Sequence, residues 1–342
     1  MTGKVMKILV QVPVYEPLLA QLRDLPGVEV AVLPPPPDED PRALPTSLIR
    51  DVDILFCGIP PTNIQKMELL KYVQITSSGY SQLYGLGLPE RRIRAANASG
   101  VNDIAIAEWC IAMMVNLARD TRGMMRNQDS GTWDRSARFQ REIRGSVLGI
   151  WGYGGIGRET ARLAKAMGLV VHTMTRNGVQ PLQDKHFVPS TGDAEGILPD
   201  RGFKPGEEIR FLHDLDFLLL AMPHTKTTEG IIGETELRAL PRRAFLLNPA
   251  RGPLVQEQAL LRALREEWIV GAALDTHFAY PMPSDHPLWR FPNVIMTPHI
   301  SGSAGAQNFA MRIWSLFLQN VERLIAQKPL LNELTALQLQ GE

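Results

Sequence analysis

The chain has 342 residues, enough for two domains, because single hydrophobic cores stop growing at roughly 250 to 300 residues. Hydrophobic residues make up 44% and charged residues 21%, a balance that supports burial and leaves no long segment of disordered composition. Lys+Arg and Asp+Glu both number 36, so no excess charge draws the chain to a polyanion or an anionic membrane; neither nucleic acid nor membrane is an expected partner.

In chain order, KILVQV, LLAQLRDL, VEVAVL, DILFCGI, IQKMELLKY and VQITS alternate β-rich runs with helical patterns, which predicts βαβ units on a parallel sheet. Between them the proline-rich stretch 33–41 reads as a surface loop. The turn-rich segment NASGVN (97–102) reads as a hinge, and a helical pattern follows from Asp103 to about Gln128. Its apolar residues are too continuous for a one-sided surface helix, so burial between domains or subunits is expected. Trp109, Met113 and Met114 within it read as core.

A second series then runs SVLGIW, GIGRETARLAKAM, LVVHTMT, DFLLLAM, ETELRAL, AFLLNPA, QEQALLRALREE, IVGAALD and VIMTP, before a last helix from about Ala304 to Ala326. The series from Ser146 to Pro298 is complete in itself and reads as an inserted domain. The expected architecture is α/β, with two doubly wound parallel-sheet, Rossmann-like domains: a dinucleotide-binding domain, 102–299, inserted in a substrate domain formed by 1–101 and 300–342. Cys57 and Cys110 both lie in apolar runs, which excludes a disulfide framework. Charge and proline interrupt the short apolar start before a signal-peptide core develops, and a cytoplasmic protein is expected. No metal site is read from the sequence.

The run Gly152, Tyr153, Gly154, Gly155, Ile156, Gly157 fits G-x-G-x-x-G, with an apolar strand before it and a helix after it. In that context the first glycine permits a tight turn, the second lets the backbone approach a pyrophosphate, and the third lets helix pack on strand. The helix N-terminus offers N–H groups to the phosphates. An acid that would accept from the ribose 2′-hydroxyl of NAD is missing at the end of the next strand, where Thr175 and Arg176 stand instead. A hydroxyl and a guanidinium suit a 2′-phosphate, so NADP is favoured over NAD.

With these motifs, TSSGYSQL (76–83), GVNDIAIAE (100–108), AMPHTKTTEGIIG (221–233), LLNPARGPLV (246–255), GAALDTHF (271–278) and NVIMTPHISGS (293–303), the sequence resembles the D-isomer-specific 2-hydroxyacid dehydrogenases over nearly its whole length. The resemblance implies NAD(P)-dependent hydride transfer with a small 2-oxo or 2-hydroxy carboxylic acid. It implies that Arg251 clamps the carboxylate and polarises the oxo group, that His299 is the general acid/base, and that Asp275 orients the nicotinamide carboxamide. Ser78, Gly79 and Tyr80 match a loop whose backbone N–H groups bind the carboxylate, and Asn102 matches a hinge residue facing the cleft. Met222, Pro223, His224, Thr228, Pro249, Ala250 and Gly302 fall along the cofactor. The helix from Asp103 resembles one that builds a homodimer through the nucleotide-binding domain.

The chain departs from the pattern at Tyr280, which occupies the place of a glutamate that hydrogen-bonds the histidine in relatives that reduce oxo acids. A neutral phenol there orients the ring without charging it. Formate dehydrogenases, similar in DHPLWRFPN and HISG, also lack that glutamate, so hydride transfer from formate or a similar small anion is the alternative reaction. A dinucleotide-sensing binding protein is a further alternative, against which the retention of Arg251 and His299 speaks, since binding a dinucleotide needs neither. The segment 179–210 is longer than the usual link at this point and has no assigned role.

Overall fold

A computed structural model describes residues 5–36, 40–136, 140–302, 305 and 308–341. They form two compact units, one of Met1–Asn102, Gln183–Val188 and Ala304–Glu342, the other of Asp103–Leu182 and Pro189–Ser303. Against the expected boundaries, residue 102 joins the first unit and residues 300–303 join the second. Segment 183–188 also joins the first unit, so the chain passes between the units four times instead of twice. Hydrogen bonds explain this last shift. Asn332, fully buried, accepts from His186 N (3.1 Å) and donates its backbone N–H to Asp184 O (2.9 Å), while Arg323 pairs with Asp184 at 3.0 Å. Gly100 is glycine because a Cβ there would collide with the His186 carbonyl, and its φ is +90°.

The first unit is a parallel sheet in the order β2-β1-β3-β4-β5, with β1 Met6–Gln11, β2 Val28–Val32, β3 Ile54–Cys57, β4 Tyr72–Ile75 and β5 Arg94–Ala96. Helix α1 (Glu16–Arg23) starts with proline in its first turn, where a missing N–H costs nothing, and buries Leu19 and Leu22. The long helix Phe309–Ile325 packs Trp314 and Phe317 on Phe56, with ring centroids at 5.4 and 4.1 Å. Its buried Asn320 amide donates to the Tyr72 hydroxyl, Gln74 Oε1 and Leu331 O, so this core carries a satisfied polar network. The run IQKMELLKY, predicted as a helix, makes only a 3-10 turn, Ile64–Lys66, before β4.

The second unit is a parallel sheet in the order β12-β11-β10-β9-β6-β7-β8, built from β6 Val147–Trp151, β7 Val170–Met174, β8 Arg201–Phe203, β9 Phe217–Leu220, β10 Phe245–Asn248, β11 Gly271–Leu274 and β12 Val294–Met296. The strands end level: Trp151 pairs with both Met174 and Leu220, and Leu274 with both Asn248 and Met296. The loops after them therefore share one edge, and the order reverses at β6, the place where open α/β sheets bind ligands. The single helix predicted over 103–128 is two, α2 (Asp103–Ala118) and α3 (Thr121–Asp129). Asp120 takes a left-handed conformation (φ +46°) and caps α3 by accepting from Gly123 N.

Candidate active site

The phosphate turn follows from three glycine geometries. Gly152 has φ +99°, and a Cβ there would lie 2.7 Å from the Ala221 carbonyl, so only glycine lets β6 turn beside β9. A Cβ on Gly157 would sit 2.6 Å from Gly152 O, which fixes how closely the helix packs on the turn. Gly154 is exposed, and a Cβ there would meet nothing within 4 Å. The helix that begins at this point, α4 (Gly155–Ala166), has Gly154 as its N-cap and no side-chain cap. Open space in front of uncapped N–H groups fits a dinucleotide's pyrophosphate. Ile156 and Gly155 lie half-buried in its first turn, with the Asp103 carboxylate against Gly155 where a Cβ would go. The Tyr153 side chain turns the other way, into the protein.

At the end of β7, Thr175 is half-buried and Arg176 exposed. After β9, Met222 is buried and Pro223 exposed; Thr228 Oγ1 donates to Pro223 O (2.8 Å) and accepts from Thr225 N (2.8 Å), closing the loop that carries His224. After β10, the buried Asn248 folds the chain back. Its Oδ1 accepts from Ala250 N (3.1 Å) and Arg251 N (3.2 Å), and its amide donates to Arg251 O (2.8 Å). This turn runs through Pro249 and presents the half-buried Arg251, and Gly252 follows because the His277 carbonyl leaves no room for a Cβ.

His299 follows β12 in the left-handed region, φ +57°, a conformation that a non-glycine residue adopts only when its surroundings impose it. Here Asp275, at the end of β11 and fully buried, imposes it. Its Oδ1 accepts from Thr297 Oγ1 (2.5 Å) and Ile300 N (2.9 Å), and its Oδ2 accepts from Ser301 N (3.0 Å) and Ser301 Oγ (2.5 Å). Both Asp275 oxygens thus hold the 297–301 turn, beside the role that the resemblance implies for this residue. Trp109 Nε1 donates to Thr297 Oγ1 (3.1 Å), a support that periodicity alone reads as core, and His277 Nε2 lies 2.8 Å from Thr297 O. Gly302 follows the turn, half-buried.

The structure brings Tyr280 beside His299, ring centroids 5.6 Å apart and planes tilted by 53°. The Tyr280 hydroxyl accepts from His277 N (3.1 Å), which anchors the phenol against the strand edge. Burial pushes the phenol above its ordinary range, while the nearby positive charge of Arg251 pulls it back, so the phenol stays neutral at working pH. Arg251, Tyr280 and His299 therefore gather at one edge of the nucleotide unit. His286 is elsewhere employed: it pairs with Glu257 at 2.8 Å and accepts from Leu288 N.

In the first unit, Ser78, Gly79 and Tyr80 form the turn after β4. Asn97 donates to Ser78 O (2.7 Å), Ser77 Oγ to Gly79 O (2.7 Å), and the Tyr80 ring is buried edge-on to Tyr84. Asn102, half-buried, closes that unit's first segment. Among the described residues no cluster of three or more His, Cys, Asp or Glu could hold a metal ion, and no helix is long and apolar enough to cross a membrane.

Residues 111–301 match the profile of the D-isomer specific 2-hydroxyacid dehydrogenase, NAD binding domain. The chain belongs to the D-isomer-specific 2-hydroxyacid dehydrogenase family. It is 29% identical to a putative 2-hydroxyacid dehydrogenase of Haemophilus influenzae over 82% of this chain and 86% of that one. It is 32% identical to a glyoxylate reductase of Thermococcus gammatolerans, over 78% of each. Its fold matches a solved NADPH-dependent glyoxylate/hydroxypyruvate reductase of Sinorhizobium meliloti in complex with NADP and sulfate, with a TM-score of 0.75 at 22% identity, covering 96% of this chain and 98% of that one. This family member is an NAD(P)-dependent oxidoreductase that transfers a hydride between the nicotinamide cofactor and a small 2-oxo or 2-hydroxy acid.

Proposed function

We propose that this dehydrogenase is an NADP-preferring reductase of small 2-oxo acids of the glyoxylate or hydroxypyruvate type, with Arg251 and His299 as its working pair. The observation that carries this reading is the convergence of Arg251, Tyr280 and His299 at the strand edge that also bears the phosphate turn. Bound along that edge, the dinucleotide would supply the hydride. The Arg251 guanidinium, whose Nη1 donates to Ala250 O (2.6 Å), is a planar fork of donors, which suits a carboxylate beside an oxo group. His299 protonates the oxygen as the carbonyl is reduced.

The exposed Arg176 beside Thr175 favours a 2′-phosphate, and the NADPH dependence of the Sinorhizobium reductase supports the same choice. The nucleotide unit exposes Met125 and Trp133, which follow the apolar α2 in the chain and suit a homodimer face, and the free buried cysteines suit a cytoplasmic protein. The test is NADPH oxidation with a panel of 2-oxo acids, beside NAD(P) reduction with formate. Turnover of glyoxylate or hydroxypyruvate with NADPH supports the reading; turnover of formate alone points to hydride transfer without a proton; no turnover with binding of NADPH points to a sensor.

A further inference from the structure

The segment after β7 has no role in the chemistry described so far, yet its second half is fastened to the phosphate turn by buried polar groups. Asp193 is 6% exposed, and its Oδ2 accepts from the Tyr153 hydroxyl (2.7 Å). The same carboxylate holds its own loop by accepting from Ile197 N and Leu198 N, both at 3.0 Å. Arg158, 5% exposed and one residue past the third glycine, donates to Tyr153 O, Asp193 O and Gln180 O, and its guanidinium lies 5.0 Å from the centroid of the Tyr153 ring. The next residue, Glu159, is 1% exposed and accepts from Gly192 N (2.6 Å).

We infer that Asp193 is a positioning residue for the cofactor: through Tyr153 and Arg158 it holds the turn between the first and second glycines, and so fixes the N–H groups aimed at the pyrophosphate. Loop stability alone does not explain this arrangement. Two backbone N–H groups already satisfy the loop's needs at Asp193, whereas the Tyr153 bond reaches into the middle of the glycine motif. Tyr153 can only donate here, because burial and the adjacent carboxylate both keep its phenol protonated. An ordered donor array binds phosphate without first losing conformational freedom, so releasing the staple weakens cofactor binding and spares the later steps.

The inference rests on the dinucleotide site, and the experiment separates the two. NADPH binding to wild type, Asp193→Asn, Tyr153→Phe and the double variant is measured by fluorescence titration, with steady-state kinetics and thermal melting alongside. Asp193→Asn is expected to raise the dissociation constant and the KM for NADPH about tenfold, the scale of one hydrogen bond to a charged group, with kcat at saturating cofactor little changed. Tyr153→Phe should raise both at least as much, and the double variant should add little to Tyr153→Phe, because Asp193→Asn strips the charge from the same bond that Tyr153→Phe removes. A lowered melting temperature with unchanged NADPH affinity would overturn the inference, as would additive effects in the double variant. If Asp193→Asn does not fold, Tyr153→Phe alone decides. Wild type that binds neither NADPH nor NADH would refute the dinucleotide site itself.

Discussion

Replacing Asp275 by Asn keeps the volume of the side chain and removes its ability to accept at both oxygens. The carboxylate now receives hydrogen bonds from Thr297 Oγ1, Ile300 N, Ser301 N and Ser301 Oγ. An amide offers one oxygen. Whichever way it sits, its NH2 faces a backbone N–H, either that of Ile300 or that of Ser301, and leaves it without a partner in a fully buried place. The hydroxyl on that side must reverse to accept. An orphaned buried donor costs about 1 to 3 kcal/mol, and the loss of charge assistance brings the total to about 3 kcal/mol. His299 holds φ +57° only while this clamp lasts, so the turn relaxes away from its working geometry. Since about 1.4 kcal/mol is tenfold, kcat/KM for 2-oxo acid reduction should fall about a hundredfold. The assay is the loss of NADPH absorbance under initial-rate conditions, with NADPH affinity and melting temperature measured on the same preparation. A folded Asp275→Asn enzyme with kcat/KM within about threefold of wild type would refute the clamp.

Tyr280→Glu places a carboxylate beside the His299 ring, and an opposite charge favours the imidazolium. Reduction needs that form, so the decline of kcat/KM with rising pH should move to higher pH; superimposable profiles would show that residue 280 does not govern His299. Arg176→Asp should weaken NADPH and improve NADH, by removing a phosphate partner and supplying a ribose acceptor, and an unchanged ratio of kcat/KM for the two cofactors would contradict it. Light scattering should give twice the mass of the chain, and Trp133→Glu, which charges a side chain 90% exposed on the proposed dimer face, should shift the distribution toward monomer.

The parallel sheets and the strand ends that carry Arg251, Asp275 and His299 were legible because apolar runs, glycines and hydrophobic period are local signals. The break between α2 and α3 was not, since it depends on the left-handed Asp120 in an otherwise helical pattern. Strand β8 escaped for a related reason: Arg201–Phe203 has three residues, one of them glycine, and gains its strand character only by pairing with β7. The site residues that sequence reasoning missed, Asp193, Asn248, Thr297 and Ser301, act through hydrogen bonds whose partners lie far along the chain or across a turn. Trp109 reads as core, but it also bonds Thr297, as does His277, to which the sequence assigned no role. The place of Tyr280 beside His299 was implied by the family resemblance, whereas the bond of its hydroxyl to His277 N depends on the local fold.

The central claim, that Arg251 anchors a substrate carboxylate for reduction, is tested most directly by kcat/KM for NADPH-dependent reduction of the preferred 2-oxo acid in wild type and Arg251→Lys. Lysine keeps the charge but loses the planar fork, so kcat/KM should fall by at least about tenfold, the scale of one charge-assisted hydrogen bond. Wild-type kcat/KM in Arg251→Lys on every accepted 2-oxo acid would contradict the account.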